Sequence, residues 1–270
     1  MLSKQDVQFP IWTRFALSVK QMMAIVLADL QRVRHDPTEI FMRMIQPVIW
    51  ILIFGQAMAY AKAISTGSLP YLDYIVPGIV AQSILLISIF YGISLIWEKD
   101  VGTLHKILVT PAPRVILVLG RSLAAGLRGL SQVFLIYVLA FILKLDLRLD
   151  FFSICGVLAM SILVGAIFST FSLIVASIVK KRERFMGIGQ ALTMPLFFAS
   201  NALYPIDMMP HWIKVLSLIN PLTYQVDALR AFMIAHQPSM FGLEIDFAVS
   251  LGVFIIVVFI ATKLYPKIVY

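Results

Sequence analysis

Residues 71–97 read YLDYIVPGIVAQSILLISIFYGISLIW, a run whose only charge is Asp73. A helix needs roughly 20 consecutive apolar residues to cross the hydrocarbon core of a bilayer, and this run exceeds that. Its polarity does not alternate as a barrel strand's would. A helix also satisfies its own backbone hydrogen bonds in lipid. Comparable runs occupy 41–61, 115–143, 151–179, 185–204 and 247–265, which predicts an all-α membrane protein with six transmembrane helices. The composition agrees: 60% hydrophobic and 13% charged over 270 residues, where soluble domains run nearer half and a quarter. Beside six spans there is no room for a sizeable soluble domain.

The formal net charge is +8. A basic balance can mark a nucleic-acid binder, but here the cations sort by loop. One side collects Lys4, Arg14, Lys20, Arg32, Arg34, Arg43, Lys99, Lys106, Arg114, Lys180, Lys181, Arg182, Arg184, Lys263 and Lys267. The other keeps Lys62, Lys144, Arg148, Lys214 and Arg230. The crowded side is expected to be cytoplasmic, with both termini there and no nucleic-acid partner. The first forty residues carry charges throughout, so no cleavable signal peptide is expected. The single cysteine, Cys155, allows no intrachain disulfide and is expected to be a buried small hydrophobe.

Before the first span, Trp12, Phe15, Val19, Met22, Val26, Leu30 and Val33 recur at steps of three and four, with Arg14, Gln21 and Arg32 opposite. That spacing predicts an amphipathic helix on the inner membrane face, with an ordinary packing helix as the alternative, ended by Asp36-Pro37. Residues 1–37 thus form an N-terminal cytoplasmic segment, and 38–270 the membrane domain. The fifth span carries Pro195 and a kink is expected there. Between the fifth and sixth spans, Trp212, Val215, Leu216 and Ile219 make one short stripe, and Ala228, Leu229, Phe232 and Met233 a second. Asn220-Pro221 reads as an N-cap with a first-turn proline. Residues 205–238 therefore predict two short helices at the outer interface.

Between the second and third spans lies EKDVGTLHKILVTP, residues 98–111. Asp100 reads as the N-cap of a helix starting at Val101, with Val101, Leu104 and Leu108 on one face and Thr103, Lys106 and Thr110 on the other. Gly102 would let a partner surface approach. Pro111 and Pro113 end the segment. In the third span, Arg114, Arg121 and Arg128 recur every seven residues and share a face, about 10.5 Å apart. Arg114 is expected to snorkel at the membrane edge and Arg121 to reach water; Arg128, about 20 Å along the helix, is expected to face a wet cavity, a carboxylate or the protein interior, unless all three are wet because the helix starts well inside the cytoplasm. Ser122, Ala125, Gly126 and Gly129 permit close helix packing in the same span. Asp227 and Arg230 are spaced for an i, i+3 pair.

No Gly-Lys dipeptide occurs, so the chain has no Walker A phosphate loop. The four histidines are dispersed, which predicts no metal site. No nucleophile elbow appears, and the acids fall in loops or near span ends. A secondary carrier or channel and a membrane-embedded enzyme are the competing classes. The first is weakened by the lack of a deep acid, the second by the lack of clustered catalytic side chains.

Glu98-x-x-x-Gly102-Thr103-Leu104-x-x-x-Leu108-x-Thr110-Pro111 with Arg114, then Tyr74-Ile75-Val76-Pro77-Gly78, then Tyr204-Pro205, Pro210, Asn220-Pro221-Leu222-Thr223-Tyr224 and Asp227-Ala228-Leu229-Arg230 together resemble the permease subunits of type-2 ABC exporters, of the daunorubicin-resistance and nodulation-factor kinds. The resemblance covers nearly the whole chain. It implies an N-terminal gate helix bearing Trp12, Arg14, Phe15, Val19, Met22 and Arg32, and a cytoplasmic coupling loop over 98–113. It also implies extracellular re-entrant helices between the fifth and sixth spans. The function it implies is ATP-driven export across a bacterial inner membrane, by two permeases (a homodimer is expected) with two separate ATPase subunits. ATP and Mg would then sit on the partner, and this chain would hold no cofactor and catalyse nothing. A hydrophobic or amphipathic small molecule, drug or lipid-like compound is the expected cargo, with polysaccharide or lipo-oligosaccharide the alternative.

Overall fold

The computed structural model describes residues 11–35, 38–67, 69–102, 113–179 and 181–265, with the backbone alone for 11–16, 32–35 and 39–41. Among these residues every regular element is helical: α1 (Ile11–His35), α2 (Thr38–Ile49), α3 (Gln56–Ala61), α4 (Tyr71–Asp100), α5 (Arg114–Ile142), α6 (Phe151–Ile178), α7 (Arg182–Phe198), α8 (His211–Ile219), α9 (Pro221–Met233) and α10 (Leu243–Leu264). A π-helical turn, Trp50–Gly55, joins α2 to α3 a few residues after Pro47. The three pieces form the first span. Among the described residues five helical segments are long and apolar enough to cross a bilayer: Met42–Ala61, α4, α5, α6 and α10. The fifth of the six expected spans is α7, which has 17 residues. At about 1.5 Å per residue it falls short of the roughly 30 Å hydrocarbon core. It ends at Phe198, where Ala199 begins a run of turns, although Pro195 lies inside it.

α4 lies at the centre, against α5, α6, α7, α9 and the first span. Its face is buried almost from end to end, from Tyr71 to Glu98. The main apolar core joins α4, α6 and α9. A second cluster, at the Glu98 end, joins Leu95, Val118, Leu173 and Phe185 of α4 to α7 with Tyr265 at the end of α10. Small residues set the helix spacing. A Cβ on Gly165 would lie 2.6 Å from the Gly126 Cα, so α5 and α6 touch backbone to backbone. One turn away Ser122 and Thr170 hydroxyls meet at 2.5 Å. The small-residue stripe expected in the third span thus does its packing against α6.

α1 packs along α5. A Cβ at Gly120 would meet Ile25 at 3.1 Å. Val26 and Asp29 are buried and Met22 and Leu30 half-buried, while Val19 is exposed. The helix predicted before the first span is present, but at least its second half is a packing helix on the bundle. Cys155 is exposed on the outer face of α6, not buried: that face of a membrane helix can take an apolar thiol without burial in protein.

Candidate functional site

Two constellations collect the residues singled out by sequence, one at each end of α4. At the Glu98 end, α4 continues through Glu98 to Asp100, its last residue. Asp100 is therefore not the N-cap of a new helix. Gly102 has φ +78°, with no atom near where a Cβ would be. Its N–H donates to the Lys99 carbonyl at 3.0 Å, and Val101 N–H donates to Trp97 at 3.0 Å. Glycine here supplies the left-handed turn that ends α4; close approach of a partner is not what the position requires. Thr103, Leu104, Lys106, Leu108, Thr110 and Pro111 lie outside the described residues, as do the side chains of Trp12, Arg14, Phe15 and Arg32.

Three acids of this end, Glu98, Asp100 and Asp29, each bridge to another helix. Arg121 of α5 donates to Glu98 at 2.5 Å with both side chains nearly buried. Arg182, the first residue of α7, donates to Asp100 at 2.7 Å and stacks 4.0 Å over the Trp97 ring. Asp29 of α1 accepts the Tyr91 hydroxyl of α4. Arg128 of α5 reaches Asp29 at 3.9 Å and lies 5.4 Å from the Tyr91 ring centre. Of the arginine stripe, Arg114 is exposed while Arg121 and Arg128 meet carboxylates, which removes the reading in which all three are wet. A cavity of about 340 Å³ opens beside them, lined by Arg43, Phe90, Tyr91, Trp97, Glu98 and Arg128. Sequence reasoning missed Asp29, although its place three residues after Val26 and seven after Met22 put an acid on the apolar stripe. It also missed Arg182, counted only as one cation in a basic loop.

At the other end the turn after α7 is held from three sides. Tyr71 and Tyr74 of α4 donate to the carbonyls of Leu203 and Asn201, each at 3.1 Å. Arg230 of α9 donates to the same Asn201 carbonyl at 2.8 Å and lies 3.9 Å over the Tyr74 ring. A Cβ on Gly78 would fall 2.4 Å from the Ala202 carbonyl oxygen, so only glycine admits this segment. At the end of α7 the Pro195 and Phe197 carbonyls accept the Ala199 and Ser200 N–H groups, and side chains serve the other two orphan carbonyls. Asn220 Nδ2 serves Leu196 at 2.7 Å, and the Tyr204 hydroxyl serves Phe198 at 2.6 Å. Tyr224 does the same for Leu218 of α8 at 2.8 Å.

Asn220 Oδ1 meanwhile accepts from Leu222 N–H at 3.0 Å, with Pro221 following as first-turn proline, as expected of a cap. Pro205 and Pro210 precede the 3-10 turn Ile206–Met208 and α8, respectively. The Asp227–Arg230 pair does not form. Arg230 turns toward α4, and Asp227 instead accepts the Met240 and Phe241 N–H groups and the Ser239 hydroxyl, at 2.7, 3.2 and 2.9 Å. Ser239 is also 2.8 Å from the fully buried Asp246. Asp73 and Asp246 lie in the first turns of α4 and α10 and Asp227 in the middle of α9, and all three are buried. Of the two short helices, α9 is buried, whereas α8 leaves its whole stripe from Trp212 to Ile219 exposed.

Residues 20–234 match the ABC-2 type transporter family. The chain belongs to that family. Among its relatives are a transport permease, ycf38, of Cyanophora paradoxa, 25% identical over 90% of this chain and 85% of the relative. The daunorubicin resistance ABC transporter permease protein DrrB1 of Streptomyces coeruleorubidus is 22% identical over 81% and 76%. Nodulation protein J of Rhizobium leguminosarum bv. trifolii is 22% identical over 71% and 72%. This ABC-2 permease is accordingly a multi-pass membrane transport protein. The matched region contains both constellations, the end of α4 and the cradle around the α7 turn.

Proposed function

We propose that this permease is the membrane subunit of an ATP-driven exporter and that the segment after α4 is its coupling loop. The observation that carries the reading is the way Glu98 and Asp100 are spent. Each binds an arginine of a different helix, so displacement of the loop is transmitted to α5 and α7 as well as α4. α1 joins the same assembly through Asp29. Glu98, Gly102 and Thr103 head the coupling residues, with Leu104, Lys106, Leu108, Thr110 and Pro111 completing the surface offered to a separate ATPase. ATP and Mg bind on that partner, since this chain has no phosphate loop. Two ATPase copies and a second permease complete the transporter, α1 acts as the gate helix, and the Glu98 end and both termini face the cytoplasm of a bacterial cell.

Cargo passes between two permeases along a path lined partly by α4 and α7. The names of the drug-resistance relatives favour a hydrophobic or amphipathic small molecule over a glycan. The Asn220 end, by its capping geometry, holds the turn after α7 and the short helices in place. The test is the double variant Glu98→Ala, Gly102→Leu in cells that depend on the exporter. Transport is expected to be lost while the ATPase still co-purifies and hydrolyses ATP. Normal transport by this variant would sink the coupling assignment. Uptake or efflux driven by an ion gradient in liposomes holding this chain alone would replace it with a secondary carrier.

A further inference from the structure

Arg182 stands outside the motifs quoted above, yet it is the first residue of α7 and touches the last turn of α4 in two ways. Its guanidinium holds Asp100 at 2.7 Å and covers the Trp97 ring at 4.0 Å. We propose that Arg182 is a positioning residue that carries displacement of the coupling loop into α7; the inference rests on the coupling role given to residues 98–111 above.

Three observations support it. First, Asp100 lies two residues from Gly102, whose left-handed turn ends α4, so Arg182 grips the helix at the point where the loop departs. Second, the rest of α7 at this end rides on α4. Phe185 is 1% exposed and packs so closely on Gly92 that a Cβ there would be 2.7 Å from the ring, and Gly189 lies against Ile89. Between them Met186, Gly187 and Ile188 are exposed. Third, the ion pair is about a third to a half exposed. Pairs of that kind add little to stability, so its value lies in where it holds α7. A planar guanidinium can bind a carboxylate and stack on an aromatic ring at once, which an ammonium cannot do equally well.

The test needs no substrate. The permease is reconstituted with its ATPase in nanodiscs, in a Cys155→Ser background. One cysteine is introduced at Val101 or at Met186, both exposed, and labelled with an environment-sensitive fluorophore. Trapping with ATP and vanadate is expected to change the emission at both positions. Arg182→Ala is expected to abolish the change at 186 and keep the change at 101. The charge swap Asp100→Arg, Arg182→Asp is expected to restore the signal at 186. A 186 signal that is silent in the parent, that survives Arg182→Ala, or that the swap fails to restore overturns the inference and leaves the coupling reading intact. Silence at 101 in the parent overturns that reading and this inference together.

Discussion

Glu98 and Arg121 meet where neither side chain is more than a tenth exposed. Removing one partner of such a pair strands the other charge, at a cost of about 3–5 kcal/mol. Glu98→Ala is therefore expected to lower the thermal midpoint of the detergent-solubilised permease, and Glu98→Leu with Arg121→Met to recover most of it. A single variant as stable as the parent would show that the pair is solvated. Asn220 both caps α9 and binds α7, so Asn220→Ala should cost at least the roughly 1 kcal/mol of a lost N-cap, read in the same assay. Asp150 caps α6, accepting the Ser153 N–H at 3.1 Å, and this bond with the Arg148 contact holds its carboxyl below the ordinary value. Because the folded value lies below the unfolded one, its contribution is present above about pH 4 and is lost as the pH falls further. Asp150→Asn should flatten that part of the stability profile.

Single residues were legible where one local rule decided them, as at Asn220-Pro221. They were misread where two rules competed. Asp100 signals a helix start and Gly102 a helix stop, and the stop prevails because α4 runs unbroken from Tyr71 through Asp100 to the left-handed turn at Gly102. Asp227 and Arg230 have the spacing of a pair, but each finds a buried partner in another segment, which one-dimensional spacing does not reveal.

At the scale of elements, hydrophobic length placed the helices well, since a bilayer sets that length directly. α4, α5, α6 and α10 begin and end within a few residues of their expected bounds. α7 is the exception. Its apolar run continues to Tyr204, but the helix stops at Phe198, where the Leu196 and Phe198 carbonyls are taken by the Asn220 and Tyr204 side chains instead of by a further turn. The π turn after Pro47 was not readable either, since a proline announces a lost bond without saying how the helix absorbs it. The backbone contact of Gly126 with Gly165 yields the element-scale prediction. Gly165→Val should separate α5 from α6, cost about 1–3 kcal/mol or more by overpacking, and reduce the folded yield seen by size-exclusion chromatography. Gly187→Val, which meets nothing within 4 Å, is the matched control. Equal yields would mean that the two helices are not in backbone contact.

For the whole molecule, the two ends of α4 divide the work. One end binds the turn after α7 through neutral hydrogen bonds, a glycine contact and one stacked arginine; the other joins α1, α5 and α7 through carboxylates. The resemblance quoted from the motifs marked both ends in advance, and the family match spans both. The partners of the individual charges came only from the folded chain. The central claim is that the segment following α4 docks on a separate ATPase. It is tested most directly by cysteine cross-linking in the Cys155→Ser background, with Lys106→Cys in the loop and Leu149→Cys, an exposed residue beside the N-terminus of α6, as the control. The co-purifying phosphate-loop ATPase should cross-link to position 106 in a nucleotide-dependent manner and leave 149 unmodified. Absence of any such ATPase from the purified complex, or cross-linking at 149 and not at 106, would contradict the account.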